Sequence, residues 1–206
     1  MTPAVTDDQT GRLLGAFAFL WGQKQERTPT WYGLFVDDVD DARAADAGDA
    51  QAVSDDHGRT TPSRRTMARI ATVDELTRIW TGRYPSNRAP RALSITLDAR
   101  LPTDSVRLAP GAEVRARVSL EDAEDDALDT RWILRREVLR RSDGGMPEVT
   151  PPAIDIVALE TVSRATEATL AFEVPTAPGE YRLFAHSRDG HGGVATANFP
   201  FRVELP

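Results

Sequence analysis

The chain has 206 residues, 40% of them hydrophobic and 28% charged, with a formal net charge of −7 and no cysteine. That length holds one ordinary domain and part of a second, with enough apolar residues for a core. The acidic balance argues against nucleic acid or an anionic membrane as partner, because both require a clustered basic face. The missing thiols exclude disulfides, thiolate catalysis and Cys-ligated zinc without fixing the compartment.

In chain order, Met1-Thr-Pro-Ala-Val-Thr-Asp-Asp has neither a basic n-region nor an apolar h-region. No signal peptide is expected there, so the chain as written belongs in the cytoplasm; a longer, exported parent would carry that information upstream. Residues 15–35 then concentrate Phe17, Phe19, Trp21, Trp31, Tyr32 and Phe35. Ala16 to Trp21 reads as a short strand, almost wholly apolar and too short to span a membrane. A strand buried on both faces belongs to a covered parallel sheet. Nothing else before residue 90 supplies such neighbours, so residues 1–35 read as the edge of a larger body.

Residues 36–66 run from acidic (Val36-Asp-Asp-Val-Asp-Asp41) to basic (Arg59 to Arg65) with no apolar period. Such a segment buries too little to offset the entropy of ordering and reads as a mobile insertion. Its Asp run lacks the glycine-turned spacing of an EF-hand loop. From Met67 to Trp80 the spacing of Met67, Ile70, Val73 or Leu76, Ile79 and Trp80 predicts a helix with one apolar stripe. Alternatively, Thr72-Val-Asp-Glu75 starts the helix through a capping box. Gly82 should end it, and Pro85 to Pro90 form a stiff connector that closes a unit at 67–90.

Residues 91–206 alternate apolar and polar over Ala92–Asp98, Glu113–Leu120, Ala168–Val174, Asp129–Arg136, Glu180–His186 and Val194–Val203, with a short strand near Ser105–Leu108. Turn signals at Pro110-Gly111, Asp143-Gly-Gly145, Pro178-Gly179 and Asp189-Gly-His-Gly-Gly193 separate several of them. About seven strands around a central Trp132 predict an immunoglobulin-like sandwich. Without cysteines, Trp132 should pack on aliphatics such as Leu170 and Leu183. The fold class is therefore mainly β: an immunoglobulin-like β-sandwich preceded by a partial unit of one strand and one helix.

The run Gly15 to Phe35, with Trp21-Gly-Gln-Lys-Gln-Glu26 and Thr28-Pro-Thr-Trp-Tyr-Gly33 as its specific parts, resembles the end of the catalytic barrel in glycoside hydrolase family 2-type proteins. The likeness continues at Ile79-Trp-Thr-Gly-Arg-Tyr-Pro-Ser-Asn-Arg-Ala-Pro90, then at Gly179–Phe184 and Ala197–Phe201; residues 36–66 lie outside it. It implies that the helix is the last barrel helix, packed outside the strand at 16–21, and that a β-domain is appended. That family's two catalytic carboxylates lie on earlier strands with no counterpart here. No catalytic residue carries over, and the chain is not expected to hydrolyse a glycoside alone. The implied partners are carbohydrate, through the parent barrel, and a barrel polypeptide supplied separately or upstream. The Gly-Glu-Tyr-Arg-Leu pattern followed by an Asp-Gly turn also resembles polycystic-kidney-type and cadherin-like modules.

Trp21 is the first candidate for substrate binding. A tryptophan at the C-terminal end of a barrel strand faces the mouth where barrel sites lie, although most aromatics in apolar runs are core. Gln23 could hydrogen-bond sugar hydroxyls, and Trp31 could line the same mouth; solvation and packing under the loop are the plainer readings. Glu26 has no partner carboxylate of the kind glycoside hydrolysis requires. His57, His186 and His191 show no metal spacing, and a His186, Ser187, Asp189 triad fails because neighbours on a strand point apart. Asp122, Glu124, Asp125 and Asp126 read as a solvated turn, with calcium through oxygen ligands as the alternative. No metal and no cofactor is expected. The competing reading of the whole chain is a non-enzymatic binding or spacer module that contacts a protein or a glycan.

Overall fold

The computed structural model describes residues 33–37, 53–54, 60–61, 67–138, 153–154, 159–162 and 167–205. The barrel strand expected at 16–21 lies outside them. Four short strands come first: β1 (Phe35–Asp37), β2 (Val53–Ser54), β3 (Thr60–Thr61) and β4 (Met67–Arg69). β1 pairs antiparallel with β4, and β2 with β3. Two expectations are corrected here. Val36, read as the start of an unstructured insertion, is fully buried against Ala68, Val194 and Ile70. Met67 to Arg69, read as helix, is strand. A three-residue strand has too few positions to show its period, and only the partner strand reveals it.

Helix α1 (Ala71–Thr81) follows directly. Its N-cap is Ile70, extended and without a side-chain cap bond; the Ile70 N–H donates instead to Leu34 O at 3.1 Å. The β1–β4 ribbon therefore starts the helix, not a capping box at Thr72. Gly82 ends it as expected, at φ 78° with its N–H donating to Arg78 O, a left-handed position that glycine takes without a Cβ clash.

The sandwich is built from β5 (Arg91–Leu97), β6 (Arg107–Leu108), β7 (Glu113–Glu121), β8 (Leu128–Arg136), β9 (Ala153–Ile154), β10 (Leu159–Val162), β11 (Glu167–Glu173), β12 (Gly179–Arg188) and β13 (Val194–Val203). One sheet has the order β11-β7-β5; the other runs β10-β8-β12-β13-β6, with β9 also pairing β8. The strands read from alternation are present, with ends shifted by a residue or two. β9 and β10 are additional, edge strands too short to announce themselves.

Inward positions on β7 (Val114, Ala116, Val118, Leu120) and β11 (Ala168, Leu170, Phe172) meet Trp132, Leu134, Leu183, Phe199 and Phe201 of the facing sheet in one core cluster. Trp132 is wholly buried in that cluster beside Leu170 and Leu183, and each such side chain contributes about 1.5–3 kcal/mol. Thr130 and Ser187, the polar pair facing inward, satisfy each other at 2.8 Å. Tyr181 stacks on Phe201 at 5.7 Å and sends its hydroxyl back to Ala177 O at 2.7 Å. That is the tyrosine corner of immunoglobulin-like sandwiches. The chain is an immunoglobulin-like sandwich with one helix bound to one end.

Candidate functional site

Trp21, Gln23 and Trp31, the expected sugar contacts, lie outside the described residues, as does Glu26. Among the described residues no three His, Asp or Glu side chains group closely enough to hold a metal ion. In the acidic turn, Asp122 Oδ1 accepts the N–H groups of Glu124 and Asp126 at 3.1 and 2.9 Å. Glu124 pairs with Arg88, and Asn87 Nδ2 donates to Asp126 Oδ2. These carboxylates brace the turn against the connector.

The structure centres on a polar junction between helix and sandwich. Asp74 is the buried residue of α1, 3% exposed. Its Oδ1 takes Arg69 Nε at 2.9 Å, and its Oδ2 takes the Ala89 N–H at 2.5 Å. Arg69 also donates to Asn87 O at 2.7 Å and His191 O at 3.2 Å, and its own N–H reaches Gly192 O at 2.9 Å. One guanidinium thus ties β4, the helix, the connector and the β12–β13 loop together. Across that loop, Asp189 Oδ1 accepts from His191 N and Gly193 N at 2.7 and 2.9 Å. Gly193 is required because a Cβ there would collide with the Asp189 carboxylate and sit 2.7 Å from Ala89 Cα.

Because the helix is held by Asp74, its apolar stripe points elsewhere. Leu76 and Ile79 lie roughly 140–160° round the helix from Asp74. Val73, Leu76 and Ile79 are mostly buried, and Trp80 is 71% exposed. Periodicity had placed Trp80 on a buried stripe; Val73, Leu76 and Ile79 of that stripe stay mostly covered, and Trp80 alone among them stands in solvent. At the helix end, Glu75 Oε1 accepts Tyr84 Oη at 3.0 Å and Arg91 Nη2 at 2.8 Å, and its Oε2 accepts Arg78 Nε at 3.2 Å. Partial desolvation raises the Glu75 pKa, but these hydrogen bonds outweigh it and the net shift is downward. The guanidinium carbons of Arg78 and Arg88 lie 5.5 and 5.4 Å from the Tyr84 ring centre. Hydrogen bonds to Glu75 and Glu124 hold the Arg78 and Arg88 pKa values above the usual range.

The outer face of the larger sheet carries a third feature. Register places His186 between Arg131 and Thr196, and Phe184 between Ile133 and Asn198. Phe184, Ile133 and His186 are buried, and among the described residues neither His186 ring nitrogen has a hydrogen-bond partner. Burial, then the charges of Arg188, Arg131 and Arg135, push its pKa down to about 3. Arg135 is likewise lowered by burial and by Arg131. At pH 7 the imidazole is neutral and enclosed, and it packs edge-on against the Phe184 ring with centroids 6.3 Å apart. The sequence placed it at the end of a strand, and its alternation with Phe184 on β12 was the available signal. Asp74 and Arg69 carried no signal, because their pairing depends on the connector folding back.

No protein-family model matches this sequence. No curated protein matches it either. Remote likenesses exist among solved structures. A Niemann-Pick type C2 protein from the Japanese carpenter ant aligns at TM-score 0.36 and 13% identity, covering 58% of this chain and 96% of that one. The PKD domain of an M14-like peptidase from a Thermoplasmatales archaeon aligns at 0.31 and 13%, covering 59% and 99%. A β-glucosidase from Listeria innocua aligns at 0.32 and 14%, covering 56% of this chain and 16% of that one. At these distances the fold rests on this chain's own strand order and register.

Proposed function

We propose that this chain is a non-catalytic accessory part of a carbohydrate-active, glycoside hydrolase-like protein, an immunoglobulin-like sandwich that holds a helix rigidly for a catalytic barrel polypeptide. The observation that carries this reading is the buried Arg69–Asp74–Ala89 junction. An isolated 11-residue helix is marginal in water, and amphipathic helices normally bury their apolar stripe on their own domain. Here the sandwich grips the polar side through Asp74 and leaves Trp80 71% exposed at the helix end, the surface offered to the barrel polypeptide. The carbohydrate half of the reading is supported by the resemblance at Trp21–Glu26 and Thr28–Gly33.

The test begins with the DNA immediately upstream of Met1. The expected result is an open frame encoding barrel strands with two opposed glutamates. Expressed as one polypeptide with this chain, it should hydrolyse aryl glycosides that the 206-residue chain alone leaves intact. An unrelated or non-coding stretch would weaken the proposal by leaving a separate polypeptide as the sole source of the barrel. Turnover by the short chain on its own would sink it.

A further inference from the structure

The larger sheet buries side chains on both of its faces. Trp132 and Leu134 of β8, and Leu183 and Ala185 of β12, belong to the sandwich core, so alternation turns Ile133, Phe184 and His186 to the opposite face. Register sets Phe184 beside Ile133, and His186 beside Thr196. These three side chains are only 3, 3 and 4% exposed, yet neither of the two clusters among the described residues contains them. An outward sheet position is buried when another layer lies on it, and here the burial arises within one chain. The strip continues to Val194, two residues before Thr196 and on the same face of β13, which is fully buried against Val36, Ala68 and Ile70. The β1–β4 ribbon thus begins an outer layer at one corner of the strip. The chain enters that corner at Leu34, whose O accepts the Ile70 N–H.

We propose that the chain's own residues 16–21 dock on this outer face, over Ile133, Phe184 and His186, and continue the layer that the β1–β4 ribbon begins. Reach allows it. From Val194 on β13 across β12 to β8 is two strand spacings, about 10 Å, and the connecting residues 22–33 span about 40 Å when extended. Side-chain chemistry selects it. An extended segment here would put Phe17, Phe19 and Trp21 on one side and Ala16, Ala18 and Leu20 on the other. Aromatic rings on one side suit a strip made of a phenyl ring, an imidazole and a branched aliphatic chain. The run from Leu13 to Gln23 carries no charge, and a charged cover would be desolvated against Phe184 and Ile133 at a heavy cost. The other stretches outside the described residues are broken by a charge or a proline within any six consecutive positions. Nothing in this depends on the barrel reading, and the outcome of the upstream search leaves it untouched.

The test uses the full chain, with His186 as a reporter of the cover. Its ring is followed by NMR titration, assigned by comparison with His186→Phe, and the amides of residues 16–21 are followed by hydrogen exchange. In the wild type, burial and then the charges of Arg188, Arg131 and Arg135 hold His186 at about 3, so the ring should stay neutral down to about pH 4.5. The amides of 16–21 should exchange at least about 100-fold more slowly than in an unstructured peptide. Phe17→Ser combined with Phe19→Ser should move His186 toward its ordinary 6.5 and abolish the protection, with far-UV circular dichroism still reporting a folded sandwich. Should the double variant unfold, Phe19→Ala alone should shift His186 upward by at least about half a pH unit. Exchange of 16–21 at the unstructured rate would overturn the proposal, as would a His186 titration indifferent to these changes. Protection that appears at residues 139–152 and not at 16–21 would assign the cover elsewhere and overturn it. Protection lost when a dimer is diluted to monomer would make the occupant a second copy, and would overturn it too.

Discussion

Replacing Asp74 with alanine tests whether the helix is held by charge. In the wild-type protein the carboxylate is buried and serves two donors, Arg69 Nε at 2.9 Å and the Ala89 N–H at 2.5 Å. Stranding one charge of a buried pair costs about 3–5 kcal/mol. Arg69 is one-fifth exposed and keeps its bonds to Asn87 O and His191 O, so roughly half of that applies. The Ala89 N–H, left without its acceptor, adds about 1 kcal/mol. The sum is about 3 kcal/mol, a large share of the about 5–15 kcal/mol of a typical domain. Urea unfolding followed by circular dichroism reads this directly. With a slope of about 2 kcal/mol/M, the Asp74→Ala midpoint should fall by about 1.5 M. Asp74→Asn, which keeps an acceptor for Ala89, should lose less. In a double-mutant cycle, Arg69→Met combined with Asp74→Ala should cost at least about 1 kcal/mol less than the two single changes summed. A midpoint shift below about 0.3 M for Asp74→Ala would show that the junction is not what holds the helix.

Three further predictions concern the sandwich. The folded-state pKa of His186 is about 3 against an ordinary 6.5, so between those values the unfolded chain binds a proton that the native state does not. Its contribution is complete above pH 6.5 and falls by about 1.4 kcal/mol per unit as pH drops toward 3. His186→Phe should flatten that part of the stability profile, and an unchanged slope between pH 6.5 and 4.5 would refute the burial argument. Gly193→Ala places a Cβ against the Asp189 carboxylate and Ala89 Cα; overpacking of this kind costs about 1–3 kcal/mol, and a melting temperature equal to wild type would count against the close approach. Tyr181→Phe removes the hydroxyl bond to Ala177 O while keeping the ring on Phe201. A loss of about 1 kcal/mol in urea is expected, and a neutral result would make the corner decorative.

What the sequence determined by itself is the sandwich. Strands such as Glu113–Glu121 and Glu167–Glu173 alternate so regularly that side-chain direction follows from residue order alone. Trp132 could be placed at the core for the same reason. Gly82 was legible as the helix end because a left-handed cap is a local property of one residue. The direction in which the helix faces was decided only in three dimensions. Periodicity identifies an apolar stripe but not what lies against it. The choice fell to a carboxylate at Asp74, an arginine five residues earlier, and a backbone N–H fifteen residues later. That pairing buries the polar side and leaves Trp80 in solvent. The strand character of Val36 and Ala68 was likewise hidden, because a short strand exists only through a partner about thirty residues away. Local rules fixed the long strands and the helix end; non-local pairing fixed the short strands and which side of the helix is buried.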